Sequence, residues 1–238
     1  MEASAKEEGL VVATLGAQDR FEVVERQDLA PKIHLLKIAA PAIARKAQAG
    51  QFIIIRIDEK GERIPLTLAD WDREAGDITI VFMEVGASTM MLATVGVGDY
   101  IKDVVGPLGL PTHIENFGTV VCVGGGVGVA PIAPIARALK QAGNRVISII
   151  GARSHDLLFW EERLARVSDR LIVTTDDGSY GRKGLVTEPL KELLESEPVD
   201  RVIAIGPAIM MKFCAKTTEP FGVKTIVSLN SIMVDGMG

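Results

Sequence analysis

The segment Gly124–Pro131, with the sequence GGGVGVAP, has the residue types and position of a phosphate-binding loop. It follows the apolar run Thr119–Val123 and leads into the helical pattern of Ile132–Gln141. Glycines at a strand-to-helix turn let a pyrophosphate approach free backbone N–H groups and the positive end of the helix dipole. A tight turn that needs small residues for packing would carry the same glycines, but the strand, loop and helix order favours a nucleotide. The candidate contacts are Gly124, Gly125, Gly126, Gly128, Ala130 and Pro131.

Loops of small or polar residues also follow the later apolar runs of the second half. In open parallel sheets, ligands bind beyond the carboxyl ends of the strands, so we expect these loops to line one crevice. Turn chemistry alone would explain any one loop, whereas all of them together favour a ligand site. The loops are Gly151–Arg153, Thr175–Gly178, and Gly206 with Pro207.

Two residues in these loops bear on the choice of nucleotide and on catalysis. Arg153 follows the second strand of this half, where its guanidinium suits a 2′-phosphate and so favours NADP; a solvated surface arginine is the alternative, and NAD against NADP stays open. Asp176 and Asp177 suit either an acid/base pair or a turn, and Asp176 is the candidate ligand contact of the two.

The first half has a second candidate site, Arg63–Thr67 (RIPLT), which follows the apolar run Gln51–Ile57. Arg63 suits a diphosphate, Pro65 fixes the backbone, and the Thr67 hydroxyl suits a heterocycle nitrogen. A β-turn with a surface arginine is the alternative. Gly86–Thr89 (GAST) is expected to open a short helix, with Ser88 or Thr89 as its cap, and to offer N–H groups to a second phosphate.

The secondary-structure patterns that must position these residues differ between the two halves of the chain. Over 21–110, short Ile- and Val-rich runs separated by glycines predict a small antiparallel β-barrel. Over 111–238, apolar strands alternate with helical patterns, which predicts a Rossmann-like parallel sheet with helices on both faces. Residues 1–20 match neither half and are expected to be an extension. The expected strands of the barrel include Ile33–Ile38, Gln51–Ile57, Asp77–Val85 and Tyr100–Val105.

Composition narrows the classes of partner. The net charge of -5 argues against a surface that binds nucleic acid. Residues 1–9 carry four charges and lack a secretory apolar core, and the uncharged run over 116–136 is broken by glycines and prolines, so we expect a cytoplasmic protein without a membrane span. Cys122 and Cys214 are expected to be buried and inert, and the three histidines lack metal-ligand spacing.

Taken in order, the motifs RIPLTLAD, DVVGPLG, GGGVGVAPI, DLLFWEE, TTDDGSYGRKG, IGPAIMMK and SLNSIMVDG resemble those of the ferredoxin–NADP reductase superfamily. Within it, the chain is most similar to electron-transfer subunits of the dihydroorotate dehydrogenase type and to the small subunits of NADH-dependent ferredoxin:NADP oxidoreductase, also called sulfide dehydrogenase. The resemblance covers about Phe21–Gly238. It implies a flavoprotein oxidoreductase that works with a larger catalytic subunit and with ferredoxin as a further candidate partner.

The same resemblance implies FAD in the barrel and NAD or NADP on the second half, with hydride passing between the two cofactors and no protein acid or base required. Arg63 and Gly86, Ser88 and Thr89 would hold the FAD diphosphate. Thr67 would lie near the reactive flavin N5. Further flavin contacts would come from Pro65, Leu66, Phe82 and Met83, and the nicotinamide would be bordered by Gly206, Pro207 and Met210.

Two features depart from the pattern. Arg63 lies four positions before Thr67, whereas three is usual in the superfamily. Members also continue past SLNSIMVDG into cysteines that hold a [2Fe–2S] cluster, and Cys122 and Cys214 lie outside that region, so these residues are expected to hold no such cluster. The alternatives to an electron-transfer subunit are a dinucleotide sensor without turnover and a stand-alone flavin or ferredoxin reductase.

Overall fold

The structure is a computed structural model that describes residues 21–229. Its first half is a seven-stranded antiparallel sheet with the order β6-β1-β2-β5-β4-β3-β7, which curls into a nearly closed barrel. Two short helices, α1 and α2, lie between its strands. The bounds are β1 Phe21–Ala30, β2 Ile33–Ala39, α1 Pro41–Lys46, β3 Phe52–Arg56, β4 Ile64–Asp72, β5 Asp77–Met83, α2 Ala87–Leu92, β6 Tyr100–Ile101 and β7 Asp103–Leu108.

Alternating branched residues hold the barrel together. Successive side chains of a strand point to opposite faces, so residues two apart share the interior. The pairs Leu36 and Ile38 on β2 and Ile78 and Ile80 on β5 are fully buried in one cluster, together with Leu68, which pairs with Ile80 from β4. This interior therefore fixes which face of β4 and β5 remains outside the barrel.

The second half is a six-stranded parallel sheet with the order β11-β10-β9-β8-β12-β13. The direction of winding reverses between β8 and β12, which makes their carboxyl ends the switch point where such sheets bind ligands. The bounds are β8 Thr119–Gly125, α3 Val129–Gln141, β9 Arg145–Ala152, α4 Glu161–Arg166, β10 Arg170–Thr175, β11 Arg182–Lys183, α5 Thr187–Ser196, β12 Arg201–Ile205, α6 Ala208–Thr218 and β13 Lys224–Val227.

The two halves share a buried apolar boundary. Ala69 and Val81, on the outer face of β4 and β5, belong to the same buried cluster as Ile132, Ala133 and Ala136 of α3. Small side chains on both sides allow the strand and the helix to approach closely. The strand that carries the RIPLT segment therefore packs directly on the helix that follows the glycine loop.

The barrel and the Rossmann-like sheet predicted from the sequence are both confirmed, with local corrections. The β-turn interpretation of RIPLT is wrong, because Ile64–Thr67 form the start of β4, paired with β3. The cap of α2 is Gly86, and not Ser88 or Thr89, because the Thr89 hydroxyl bonds back to the backbone in front of the helix. The 1–20 extension and most of SLNSIMVDG lie outside the described residues.

Candidate functional site

The two faces of β4 have different surroundings. Ile64, Leu66 and Leu68 pack into the barrel interior, so Leu66 presents little of its side chain outside. Pro65 and Thr67 point the other way, toward the face on which the next alternate residue, Ala69, meets α3. The Thr67 hydroxyl makes no hydrogen bond with any other residue of the 21–229 range. Pro65 and Thr67 are therefore the flavin candidates of this strand whose side chains are available.

The neighbouring strand β5 also has one face inside the barrel and one face outside. Phe82 is 2% exposed and lies inside the barrel, with its ring 5.5 Å from that of His34. Met83 is 38% exposed on the opposite face, the same face as Val81, which meets the second half. The pairing of β4 with β5 ends at Leu68 and Ile80, so the two strands diverge beyond that point. The divergence separates the Thr67 end of β4 from the Met83 end of β5.

The RIPLT and GAST segments meet in space. The Ser88 hydroxyl donates a hydrogen bond of 3.2 Å to Glu62 Oε2, which joins the start of α2 to the residue before Arg63. Arg63 is exposed and has no partner among the described residues. The N–H groups of Val85 and Gly86 both donate to Thr89 Oγ1, at 2.9 Å and 3.0 Å. Of the GAST segment, the first-turn N–H groups after Gly86 therefore remain for a ligand.

The glycine loop requires its glycines for two different reasons. A Cβ on Gly128 would lie 2.2 Å from the carbonyl oxygen of Ile205, so the loop packs backbone to backbone against the end of β12. Gly126 has a positive φ of 53° and open space where a Cβ would lie. The packing explanation therefore holds for Gly128, whereas Gly126 leaves its backbone bare and accessible, as a bound diphosphate needs.

The loop after β12 lies against the same glycines. A Cβ on Gly125 would lie 2.3 Å from Met210 Sδ and 3.3 Å from Pro207 Cδ, and one on Gly206 would lie 2.8 Å from Met210 Cε. The segments GGGVGVAP and IGPAIMMK, far apart in sequence, thus pack against each other at the switch point between β8 and β12, where sheets of this kind have their ligand crevice. Ala130 is buried in the boundary with the barrel and has no exposed side chain for a ligand.

The candidate residues of the two halves adjoin each other. Cα atoms of the Gly126–Gly128 turn lie within 8 Å of Cα atoms of β5. Val127 of this turn packs against the buried cluster that includes Val81, so the glycine loop lies near the outer face of β5. The structure therefore brings β5, the glycine loop and the Met210 end of α6 together, with β4 as the neighbouring strand of β5.

Arg153 and Asp176 follow β9 and β10, the next two strands of the sheet after β8. The backbone N–H of Asp177 donates to the Arg153 carbonyl at 3.1 Å, which ties the loop after β10 to the end of β9. Arg153 is exposed and unpaired among residues 21–229, and Asp176 is also exposed. The Ser179 hydroxyl and N–H donate to Asp177 Oδ1 and lower the pKa of that carboxyl. A carboxyl held ionised inside its own turn does not provide an acid/base device with Asp176.

Sequence reasoning missed an ion cluster at the same boundary. Asp70 of β4 pairs with Arg137 of α3 and Arg163 of α4. An aspartate at the end of the apolar stretch IPLTLA was its only signal in the sequence. The pairing itself depends on a β-bulge between Leu68 and Asp70, which no local pattern announced.

The two cysteines are buried, as expected, and burial raises the pKa of the Cys122 thiol to about 12 and that of Cys214 to about 11. A thiol reacts as its thiolate, so neither is a nucleophile near neutral pH. We expect thiol-reagent labelling of the native protein at about pH 8 to be at least about 100-fold slower than in guanidinium, measured by absorbance. Stoichiometric native labelling within minutes would contradict the burial of both thiols.

Two further properties hold for the described residues. No cluster of three His, Cys, Asp or Glu side chains with the geometry of a metal site is present in the 21–229 range. None of the helices in that range is both long and apolar enough to cross a lipid bilayer.

Residues 122–216 match the family model described as oxidoreductase NAD-binding domain. The chain is 48% identical over 224 residues to a dihydroorotate dehydrogenase B (NAD(+)) electron transfer subunit homolog of Thermotoga maritima, covering 94% of this chain and 79% of that protein. It is 32% identical to the dihydroorotate dehydrogenase B electron transfer subunit of Shouchella clausii, covering 93% and 85%. A solved NADH-dependent reduced ferredoxin-NADP oxidoreductase shares the fold with a TM-score of 0.87 and 46% identity, covering 94% of this chain and 81% of that one. The chain therefore belongs to the family of dihydroorotate dehydrogenase B electron transfer subunits and their homologues, within the ferredoxin–NADP reductase superfamily of oxidoreductases.

Proposed function

We propose that this protein is an FAD-containing electron-transfer subunit that takes hydride from NADH or NADPH and delivers electrons to a larger partner subunit. One observation carries the proposal: the glycine loop at the switch point lies beside β5, whose outer face carries Met83 and meets the second half at Val81. A nucleotide on the loop and a flavin on that face would meet at the boundary. Membership of an oxidoreductase family supports the same conclusion.

The barrel residues fit a flavin nucleotide. Arg63 is an exposed cation without a partner among residues 21–229, suited to a diphosphate because a guanidinium donates two parallel hydrogen bonds to phosphate oxygens. The first-turn N–H groups of α2 would assist it, with Ser88 and Gly86 alongside. Pro65, Thr67 and Met83 would lie along the ring system. Leu66 and Phe82 would shape the site from behind, since both side chains pack into the barrel.

The second half fits a nicotinamide dinucleotide. Gly126 would let the diphosphate approach the bare backbone, while the Met210 side chain, packed on Gly125 and Gly206, would border the nicotinamide ring. Arg153, which follows β9 and has no partner in the described part of the chain, would reach the adenosine side of the nucleotide, where it favours a 2′-phosphate. Asp176 lies on the adjacent strand end and would favour free ribose hydroxyls, so both NAD and NADP are retained.

The protein's own contribution would be to position the nicotinamide against the flavin. When bound, FAD supplies the chemistry of accepting hydride from a reduced nicotinamide and releasing the electrons to an acceptor. Thr67, Met83, Gly125 and Met210 carry no group that titrates near neutral pH, so they orient the two rings and exclude water without moving a proton. The Thr67 hydroxyl, without a partner in the described range, would donate to the flavin N5.

Further parts of the proposal concern organisation and surroundings. Residues 21–110 would form the flavin domain and residues 111–238 the nucleotide domain, because the barrel sheet ends at Leu108 and the parallel sheet starts at Thr119. A larger catalytic subunit would receive the electrons, with ferredoxin as an alternative acceptor, since the relatives' names describe electron transfer subunits. A reducing cytoplasm suits the two free thiols.

The visible spectrum after incubation with FAD and gel filtration tests the cofactor directly. We expect about one flavin per chain with a flavin absorption band, and anaerobic NADH or NADPH to bleach it. Protein that elutes without flavin overturns the proposal. Flavin that stays oxidised while nucleotide binds would instead identify a dinucleotide sensor, and full turnover with natural acceptors in the absence of any second subunit would identify a stand-alone reductase.

A further inference from the structure

Asp70 joins three elements of the two halves. Arg137 of α3 donates to Asp70 Oδ1 at 2.7 Å, and Arg163 of α4 pairs with Asp70 Oδ2, so each carboxylate oxygen faces a guanidinium of the second half. The Asp70 side chain is 18% exposed. Burial lowers the pKa of both arginines, but a guanidinium remains protonated in proteins. The cluster is therefore a partly buried, charged connection across the boundary.

A β-bulge aims Asp70 outward. Leu68 pairs with Ile80 and Asp70 with Thr79, so β4 has one extra residue, Ala69, between two pairs that are adjacent on β5. Bulges of this kind re-aim side chains and recur near functional sites. Without the extra residue, strict alternation would put Asp70 on the barrel face together with Leu68. The bulge instead gives Ala69 and Asp70 the same side, where Ala69 packs near α3 and Asp70 binds its arginine.

Both tryptophans of the chain lie at this cluster. The Arg137 guanidinium is 5.4 Å from the centre of the Trp71 ring, and that of Arg163 is 4.2 Å from the centre of the Trp160 ring. Trp160 has a positive φ of 59°, a conformation that costs energy for a bulky residue and persists only where its surroundings hold it. The Asp70 carboxylate is thus surrounded by two guanidiniums, each over a tryptophan ring, and one of these tryptophans has a strained backbone.

Asp70 and Arg137 lie on the two elements that carry the candidate sites. Asp70 is three residues after Thr67 on β4, and Arg137 lies on the helix that starts just after Gly128. The apolar contacts of Ala69 and Val81 bring the halves together but are non-directional. On one side of Arg137 and Trp71 the halves are separated by an open groove of about 620 Å³, so packing does not close the whole boundary. The hydrogen-bonded ion pairs of Asp70 are directional and therefore restrict the orientation of the two halves.

We propose that Asp70 is a positioning residue, which holds α3 and α4 against β4 through Arg137 and Arg163 and so sets the distance and angle between the nicotinamide and flavin sites. The proposal rests on the proposed function. Because a misplacement of about 1 Å can slow a reaction about 100-fold, Asp70 should act on the rate of hydride transfer more than on nucleotide affinity.

The test compares Asp70→Asn with a matched control, Asp103→Asn, in the full chain. Asp103 is also 18% exposed and pairs with Arg56 at 2.5 Å, but both residues lie within the barrel. In stopped-flow reduction of the FAD-loaded protein, D70N should lower the limiting rate about 10- to 100-fold with less than about a threefold change in the Kd for NADH or NADPH. D103N should stay within about twofold of the original protein. A D70N rate within about twofold, or equal losses in both variants, overturns the proposal.

A second readout needs no cofactor. Before FAD is added, D70N should increase acrylamide quenching of the two tryptophans, while D103N should not, because only the first variant frees the guanidiniums beside Trp71 and Trp160. Unchanged quenching in D70N overturns the proposal even if the flavin is never reduced, which separates its failure from that of the proposed function. If D70N does not fold, Arg163→Gln takes its place, with about a three- to tenfold rate loss expected; an unchanged rate overturns the proposal.

Discussion

We expect Gly128→Ala to lower stability by about 3 kcal/mol and to abolish most reduction by NADH or NADPH. The added Cβ would lie 2.2 Å from the carbonyl oxygen of Ile205 and 2.6 Å from its carbonyl carbon, and backbone atoms of a central strand have no room to yield. The loop must therefore move away from β12 and from the crevice. Thermal unfolding should shift down by about 6–12 °C, measured by circular dichroism, and nucleotide-dependent bleaching should slow at least about 100-fold.

Gly96→Ala is the control for that substitution. A Cβ on Gly96 would meet Asp99 Oδ2 at 3.4 Å, an ordinary contact, and its φ is not positive. Its stability should stay within about 0.5 kcal/mol of the original protein. A Gly128→Ala variant that melts at the original temperature and is reduced at the original rate would mean that the glycine loop does not pack against β12 as described.

Arg63→Ala should have the opposite profile, with a large loss of FAD affinity and no loss of stability. Arg63 is exposed and makes no ion pair within the described residues, so its removal breaks no contact of the fold. Hydrogen bonds to charged groups contribute about 1.5–3 kcal/mol, which corresponds to about a 10- to 100-fold weaker Kd for FAD. Fluorescence titration of the flavin-free protein measures the affinity, and thermal unfolding without FAD measures the stability.

Arg45→Ala controls for the loss of a positive charge. Arg45 lies on α1, is also exposed, and has no ion-pair partner in the described part of the chain. Its FAD affinity should stay within about twofold of the original. If Arg45→Ala weakens FAD binding as much as Arg63→Ala does, Arg63 acts only through the overall electrostatic potential of the protein and does not contact the diphosphate.

The sequence was informative where one local pattern determined the structure. Thr119–Val123 leads into glycines and then a helix, and this order, with the strands and helices that alternate after it, predicted the parallel sheet that the structure has. The nucleotide site at these glycines stays a prediction. Alternation failed on β4, because Pro65 and the charged residues before it are typical of a turn, whereas pairing with β3 extends the strand to Ile64. Tertiary pairing outweighed local propensity there.

The site could be predicted by segment, but not by side chain. A hydrogen bond from Ser88 to Glu62 joins GAST to the residue before RIPLT, and the glycine loop lies near β5, yet the barrel interior takes Leu66 and Phe82 and leaves Pro65, Thr67 and Met83 outside. Which residues face outward depends on the register of three strands. The Asp70 cluster could not be predicted from the sequence for the same reason. A bulge between β4 and β5 and the packing of two distant helices define it.

The rate at which a bound flavin is bleached by nicotinamide nucleotide tests the central claim most directly. The FAD-loaded protein is mixed anaerobically with NADH or NADPH in a stopped-flow instrument, and the same mixing is repeated with nucleotide deuterated at the transferred position. We predict complete bleaching by at least one of the two nucleotides, with a limiting rate that the deuterium slows. A flavin that remains oxidised with both nucleotides, at concentrations that saturate binding, would contradict the assignment of this boundary as the site of hydride transfer.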